Sequence, residues 1–114
     1  MMRYNWTAVV EEKMNPLLTR RVIHTDQMTV ARMSLAKGSV VPLHRHVNQQ
    51  ITMLETGSLE FEIEGEQIVL KAGDVLVIPP DTPHLVTALE DSTATDLFTP
   101  PREDWRKGDD SYLR

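Results

Sequence analysis

The sequence predicts an all-β domain, a sandwich or barrel of short antiparallel strands, and three observations carry that expectation. From about Thr19 onward, apolar and polar residues alternate with the period of two that a half-buried strand requires. Turn residues recur at intervals of roughly 8 to 12, the spacing of sandwiches and barrels. No stretch sustains the 3.6-residue period of an amphipathic helix. At 114 residues the chain has the length of one domain, 1–114, since dividing it would leave neither half enough apolar surface for a stable core.

The elements follow in order. Residues 1–14, "MMRYNWTAVVEEKM", read as a short helix or an irregular arm, and the barrel core is expected over about residues 19–99. In "SLEFEIEGEQIVL", Leu59, Phe61 and Ile63 alternate with Glu60, Glu62 and Glu64; Gly65 then marks a tight turn before Ile68 and Leu70 resume the pattern. This is a hairpin with one face buried and one in water. Gly73-Asp74 makes the next turn, Val75 to Ile78 a strand, and Pro79, Pro80 and Pro83 interrupt it before a further strand from His84 to Leu89. The ending "PPREDWRKGDDSYLR", residues 100–114, reads as a polar surface tail.

Composition narrows the function classes. The net charge is −5 and the twelve Lys and Arg are scattered, which argues against nucleic acid, where phosphate neutralisation needs a concentrated basic surface. No apolar run approaches the ~18 residues of a membrane span. The N-terminal stretch has no secretory apolar region and the chain has no cysteine, so the expected compartment is the cytoplasm and thiol chemistry is excluded. An anionic small molecule is compatible with this chain if a local positive centre receives it.

The stretch "VVPLHRHVNQQITMLETG" supplies candidates for such a centre. On an extended strand, side chains at i and i+2 share a face, which would place His44 and His46 together. Gln50 has the same parity and is expected to return on the neighbouring strand after a turn at "VNQ". His84 begins a strand beyond the proline-rich turn, where a barrel wall can aim it at the same point. Three imidazoles and an amide oxygen suit a borderline divalent transition metal with positions left open for substrate or water. The alternative is a pair of surface histidines with no ligand role.

These residues carry a resemblance to the cupins. The first cupin motif is matched at every interval by Gly38, His44, His46, Gln50 and Gly57, with glutamine where the acid usually stands. The second is matched by Gly73, Pro79, Asp81 and His84, with Asp81 in a glycine position that needs positive φ, and with Ala88 where asparagine is usual. Three of the four histidines fall on ligand positions, and His24 has no motif role. The resemblance implies a double-stranded β-helix, a jelly-roll-like barrel, with His44, His46, Gln50 and His84 holding one divalent metal ion such as zinc, nickel, manganese or iron.

The stretch "TDLFTPPREDW" adds a second clue. Asp96 and Phe98 share a strand face, so if Phe98 points inward then Asp96 does too, and a buried carboxylate is costly unless paired or used. Arg102, after Pro100-Pro101, is placed to hold its planar fork over the barrel mouth. The competing reading is an Asp96–Arg102 salt bridge that closes the last strand. This ending, with Gln50 as ligand, is similar to that of single-domain pectin-degradation cupins. That resemblance implies conversion of 4,5-unsaturated monouronates from the cyclic to the linear ketonised form, with Asp96, Phe98 and Arg102 lining the site.

Two other classes remain open at this level: another metal-dependent cupin enzyme such as a dioxygenase, and a non-catalytic sugar-binding cupin. Small cupins commonly form homodimers, often by exchanging an N-terminal strand. The segment Arg21 to Thr29 is the candidate here, against simple pairing within its own barrel. Arg21 and Arg32 either add positive charge near the mouth or occupy solvated strand positions.

Overall fold

A computed structural model describes residues 1–114 as two antiparallel sheets facing each other. The strands are β1 (Glu12–Asn15), β2 (Leu18–His24), β3 (Thr29–Leu35), β4 (Val40–His44), β5 (Gln49–Thr56), β6 (Ser58–Ile63), β7 (Glu66–Lys71), β8 (Val75–Ile78), β9 (His84–Ala88) and β10 (Ser92–Thr99). One sheet has the order β1-β2-β3-β10-β5-β8 and the other β4-β9-β6-β7. A four-residue helix, α1 (Glu103–Arg106), and a 3-10 turn at Ser111–Leu113 follow the last strand. No helix is long and apolar enough to cross a membrane.

The alternation read from the sequence sets the inner face. In the hairpin of β6 and β7, Leu59 pairs with Leu70 and Phe61 with Ile68, and Leu59, Phe61 and Leu70 are buried. Glu64 and Gly65 at its tip both have positive φ, as a two-residue hairpin turn requires. Asp81 takes its motif glycine's conformation, with φ 57°. Gly57 has a second constraint besides its φ of 87°: a Cβ there would stand 2.3 Å from the Asp91 carbonyl oxygen, so only glycine lets β5 turn into β6 at this point.

Inward-facing residues change character along the barrel axis. Across the six-stranded sheet, Leu18 pairs with Leu35, and Met33, Ala94 and Leu54 form the next inner row. Two rows further on, the inner positions are Thr29, Phe98, Gln50 and Ile78, with Asp96 and Thr52 paired between. One end of the barrel is therefore apolar core, while toward the other the inner positions carry polar side chains, over a cavity whose walls come from both sheets and are mostly apolar.

The ends depart from expectation. Met14 and Leu18 are buried, so the core starts before residue 19. Residues 100–114 do not form a surface tail: Trp105 and Leu113 join the core, and Arg102, Asp110 and Tyr112 are enclosed around them. The physical cause is a docked charge pair under an apolar cover. Arg20 on β2 donates from Nη2 to Asp110 at 2.5 Å, with both side chains buried, and its guanidinium lies 4.6 Å from the Trp105 ring centre. Asn15 fixes the end of the segment by donating to the Leu113 carbonyl.

Candidate metal centre

His44 and His84 come from adjacent strands of the four-stranded sheet and face each other in register. His46 lies just past the end of β4, in the link that crosses to the other sheet, and an irregularity in pairing separates Val41 from His44. The two histidines of the pair thus converge through that irregular strand end and the crossing link, not by strand alternation alone. Gln50 also arrives by a different route from the one expected: it sits on β5, in the facing sheet, so the site is closed between the two sheets. One ligand atom from each of His44, His46 and His84 lies within 4.8 Å of the others.

Each imidazole is oriented by a main-chain carbonyl two residues away. Nδ1 of His44 bonds Pro42 O at 2.7 Å, Nδ1 of His46 bonds Asn48 O at 3.2 Å, and Nδ1 of His84 bonds Thr82 O at 2.8 Å. A carbonyl only accepts, so the proton of each neutral ring belongs on Nδ1 and the Nε2 lone pair is left for a ligand. Burial drives the rings toward that neutral state. It lowers His44 to about 3, helped by His84, and His46 to about 4, helped by Arg102. Burial lowers His84 as well, against the Thr82 bond that raises it.

The fourth donor tests the fit to a cation. Gln50 Oε1 stands 3.1 Å from His46 Nε2. With the ring neutral and Nδ1 protonated, these are two lone pairs facing each other, an arrangement that asks for a positive centre between them. Two donors bound to one metal at ~2.1 Å and at right angles stand ~3.0 Å apart, so the spacing suits shared coordination. His44, His46, His84 and Gln50 therefore fit a divalent metal ion. His24 is elsewhere, at the end of β2, with Nδ1 bonded to Thr29 Oγ1.

Asp96 and Phe98 do share the inner face of β10, and both line the cavity that also holds His44, His84 and Gln50. Burial raises the Asp96 carboxyl to about 6, against the hydrogen bond from Thr52 and the influence of Arg102 and Gln50, which lower it. Phe98 presents its ring edge-on to His46, 5.5 Å between centres. Arg102 reaches the cavity, but the salt bridge with Asp96 is not formed. Its Nε and Nη2 donate to the two oxygens of Asp104 at 3.0 and 2.8 Å, and Nη2 also donates to the Tyr112 hydroxyl. The guanidinium is held between Phe98 and Trp105, with 1% of the residue exposed, and only Nη1 has no partner in the chain. The bonds to Asp104 and Tyr112 raise Arg102 despite burial. Arg102 is thus a cavity wall with one NH2 group, Nη1, to offer, not a free fork over the mouth. Arg21 and Arg32 add no charge there either, because they pair with Glu11 and Glu55.

Two cavity residues are not foreseen by the motifs. Tyr112 stacks on His44, with ring centres 4.5 Å apart, and its hydroxyl accepts from Arg102 Nη2 and Trp105 Nε1. Thr52 bonds both Gln50 and Asp96.

Residues 31–99 match the family model described as Cupin domain. The chain belongs to the cupin family. Among cupins it is 33% identical over 97 residues to the pectin degradation protein KdgF of Dickeya dadantii, covering 82% of this chain and 88% of that protein. The solved structure of KdgF from Halomonas sp. superposes with a TM-score of 0.79 at 34% identity, over 84% of this chain and 92% of that one. An oxalate-binding protein of Thermotoga maritima is 33% identical over 88 residues, 76% of this cupin and 70% of the relative.

Proposed function

We propose that this cupin is a metal-dependent enzyme that converts 4,5-unsaturated monouronates, the products of pectate or alginate lyases, from the cyclic to the linear ketonised form. One observation carries the reading: a carboxylate, Asp96, shares a cavity wall with three neutral donors, His44, Gln50 and His84, in a chain one-third identical to a pectin degradation protein over most of its length. His44, His46, Gln50 and His84 would hold the metal, and being neutral they leave its charge undiminished for an anionic sugar acid. When bound, the ion supplies Lewis-acid stabilisation of negative charge on a substrate oxygen.

The remaining chemistry belongs to the side chains. Ring opening removes the proton of the C1 hydroxyl, breaks the bond between C1 and the ring oxygen, and leaves an aldehyde and an enolate; protonation of the enolate at C4 then gives the ketone. No atom is gained or lost, and no redox step is needed. Asp96 is assigned the proton transfers, taking the hydroxyl proton and returning one to C4. Arg102 Nη1 donates one charge-assisted hydrogen bond to the substrate carboxylate, and Phe98 forms the apolar wall against the sugar ring. The cysteine-free composition suits a cytoplasmic reaction.

The test is to incubate metal-loaded protein with unsaturated monouronate and follow loss of the conjugated double-bond absorbance, with His46→Ala as control. Decay no faster than the uncatalysed rate would remove the reading. Substrate-dependent oxygen uptake by iron-loaded protein would replace it with a dioxygenase, and tight binding without turnover with a sugar-binding role.

We also propose a homodimer, formed by the outer face of the six-stranded sheet. Residues 21–29 pair within their own chain, β2 lying between β1 and β3. On that outer face Ile23, Val30, Leu97, Ile51 and Val77 form one continuous cross-strand row. Glu60 and Glu62 interrupt the outer face of the other sheet. Light scattering should give twice the chain mass, and half of that for Ile51→Glu; a wild-type monomer at micromolar concentration would refute the assignment.

A further inference from the structure

The Gln50 side chain has two ends of opposite polarity and nearly identical shape. With Oε1 toward His46 it offers a lone pair to the metal position; turned over, it would point an NH2 there, donate to His46 Nε2 and oppose a cation. The choice between the two is made on the other side of the amide. Gln50 Nε2 donates to Thr52 Oγ1 at 2.9 Å, and Thr52 Oγ1 donates to Asp96 Oδ1 at 2.7 Å. A hydroxyl has one hydrogen. Because Asp96 receives it, Thr52 shows Gln50 only lone pairs, and only the NH2 end can satisfy them. Thr52 is 1% exposed, so solvent does not compete for the hydroxyl. Strand geometry builds the chain of bonds: Gln50 and Thr52 alternate on one face of β5, and Thr52 pairs with Asp96 on β10.

We propose that Thr52 is a positioning residue of the metal centre, holding the Gln50 amide oxygen toward the three histidines by passing on the acceptor character of Asp96. This rests on the reading of Gln50 as a ligand. Cobalt(II) is a suitable probe, read by calorimetric affinity and by its visible absorption, with Thr52→Val, Thr52→Ser and Gln50→Ala compared with the parent and folding checked by circular dichroism. Thr52→Val keeps the shape and removes the hydroxyl; it should weaken cobalt binding by about 10- to 100-fold, the usual effect of losing a group that orients a ligand, and alter the spectrum. Thr52→Ser should restore both. Thr52→Ala serves the same purpose as the valine variant if the latter fails to fold. Parent affinity and spectrum in a folded variant without the hydroxyl would overturn the proposal. If Gln50→Ala also left both unchanged, Gln50 would not be a ligand and the two ideas would fall together; a weakened Gln50→Ala beside an unaltered Thr52→Val would remove Thr52 alone. None of these measurements uses a uronate, so a failed turnover assay does not affect them.

Discussion

Asp96→Asn is expected to lower uronate turnover by about 10²- to 10⁴-fold, the range associated with losing a positioned acid or base, while leaving metal affinity close to that of the parent. The separation of the two effects follows from the geometry. Asparagine keeps an oxygen in the place where Thr52 donates, so Thr52, and Gln50 behind it, retain their hydrogen bonds. What it cannot do is hold and release a proton at the cavity wall. Asp96→Ala should differ, since it removes the acceptor as well, and should lose metal affinity together with turnover. The measurements are steady-state loss of double-bond absorbance and calorimetric metal titration on both variants. Turnover within about threefold of the parent in Asp96→Asn would transfer the proton role to another group or to water.

The four candidate ligand side chains were legible in the sequence because each sits at a fixed interval from a residue that turns the chain. Gly57 shows why such intervals are rigid: its carbon approaches the Asp91 backbone too closely for any side chain. Asp81 shows that the demand is for positive φ and not for glycine as such. The path of approach was not legible. Alternation within a single sheet predicts that His44, His46 and Gln50 come from neighbouring strands, but nothing local says that the chain crosses to the facing sheet between them. Thr52 carried a weak signal, being two residues beyond Gln50 on the same strand face. The role of residues 100–114 was concealed by composition, since Arg102, Asp110 and Arg114 look solvated until their partners are known. Trp105, Tyr112 and Leu113 were the signal, three large apolar groups in a segment that would otherwise have no reason to hold them.

Asp110→Ala should destabilise the protein by about 1–3 kcal/mol at pH 7, the cost of leaving a buried donor of Arg20 unsatisfied while Glu12 still pairs its charge. Asp110 accepts from Arg20 Nη2 on β2 and from Arg114 Nε and Nη2 on its own segment, and Glu12 on β1 also binds Arg20. Without Asp110, the Arg20 guanidinium stays enclosed under Trp105, with its Nη1 already lacking a partner. The loss should extend to the site, because residues 110–114 hold Tyr112 against His44. Stability should depend on pH in a defined sense. Burial alone would raise Asp110, but the bonds from Arg114 and Arg20 outweigh it and hold the carboxyl below its ordinary value of 3.8. A lowered folded value means that the unfolded chain takes up the proton first as pH falls. The contribution is therefore fully present above about pH 4 and disappears as pH drops through the folded value. Urea unfolding of parent and Asp110→Ala should give a wide gap at pH 7 that narrows toward pH 3. Joint replacement, Arg20→Met with Asp110→Leu, should recover much of the loss, since it removes both buried partners rather than one side of the pair. Equal midpoints for the parent and Asp110→Ala at pH 7 would mean that Trp105 and Leu113 dock this segment by apolar contact alone.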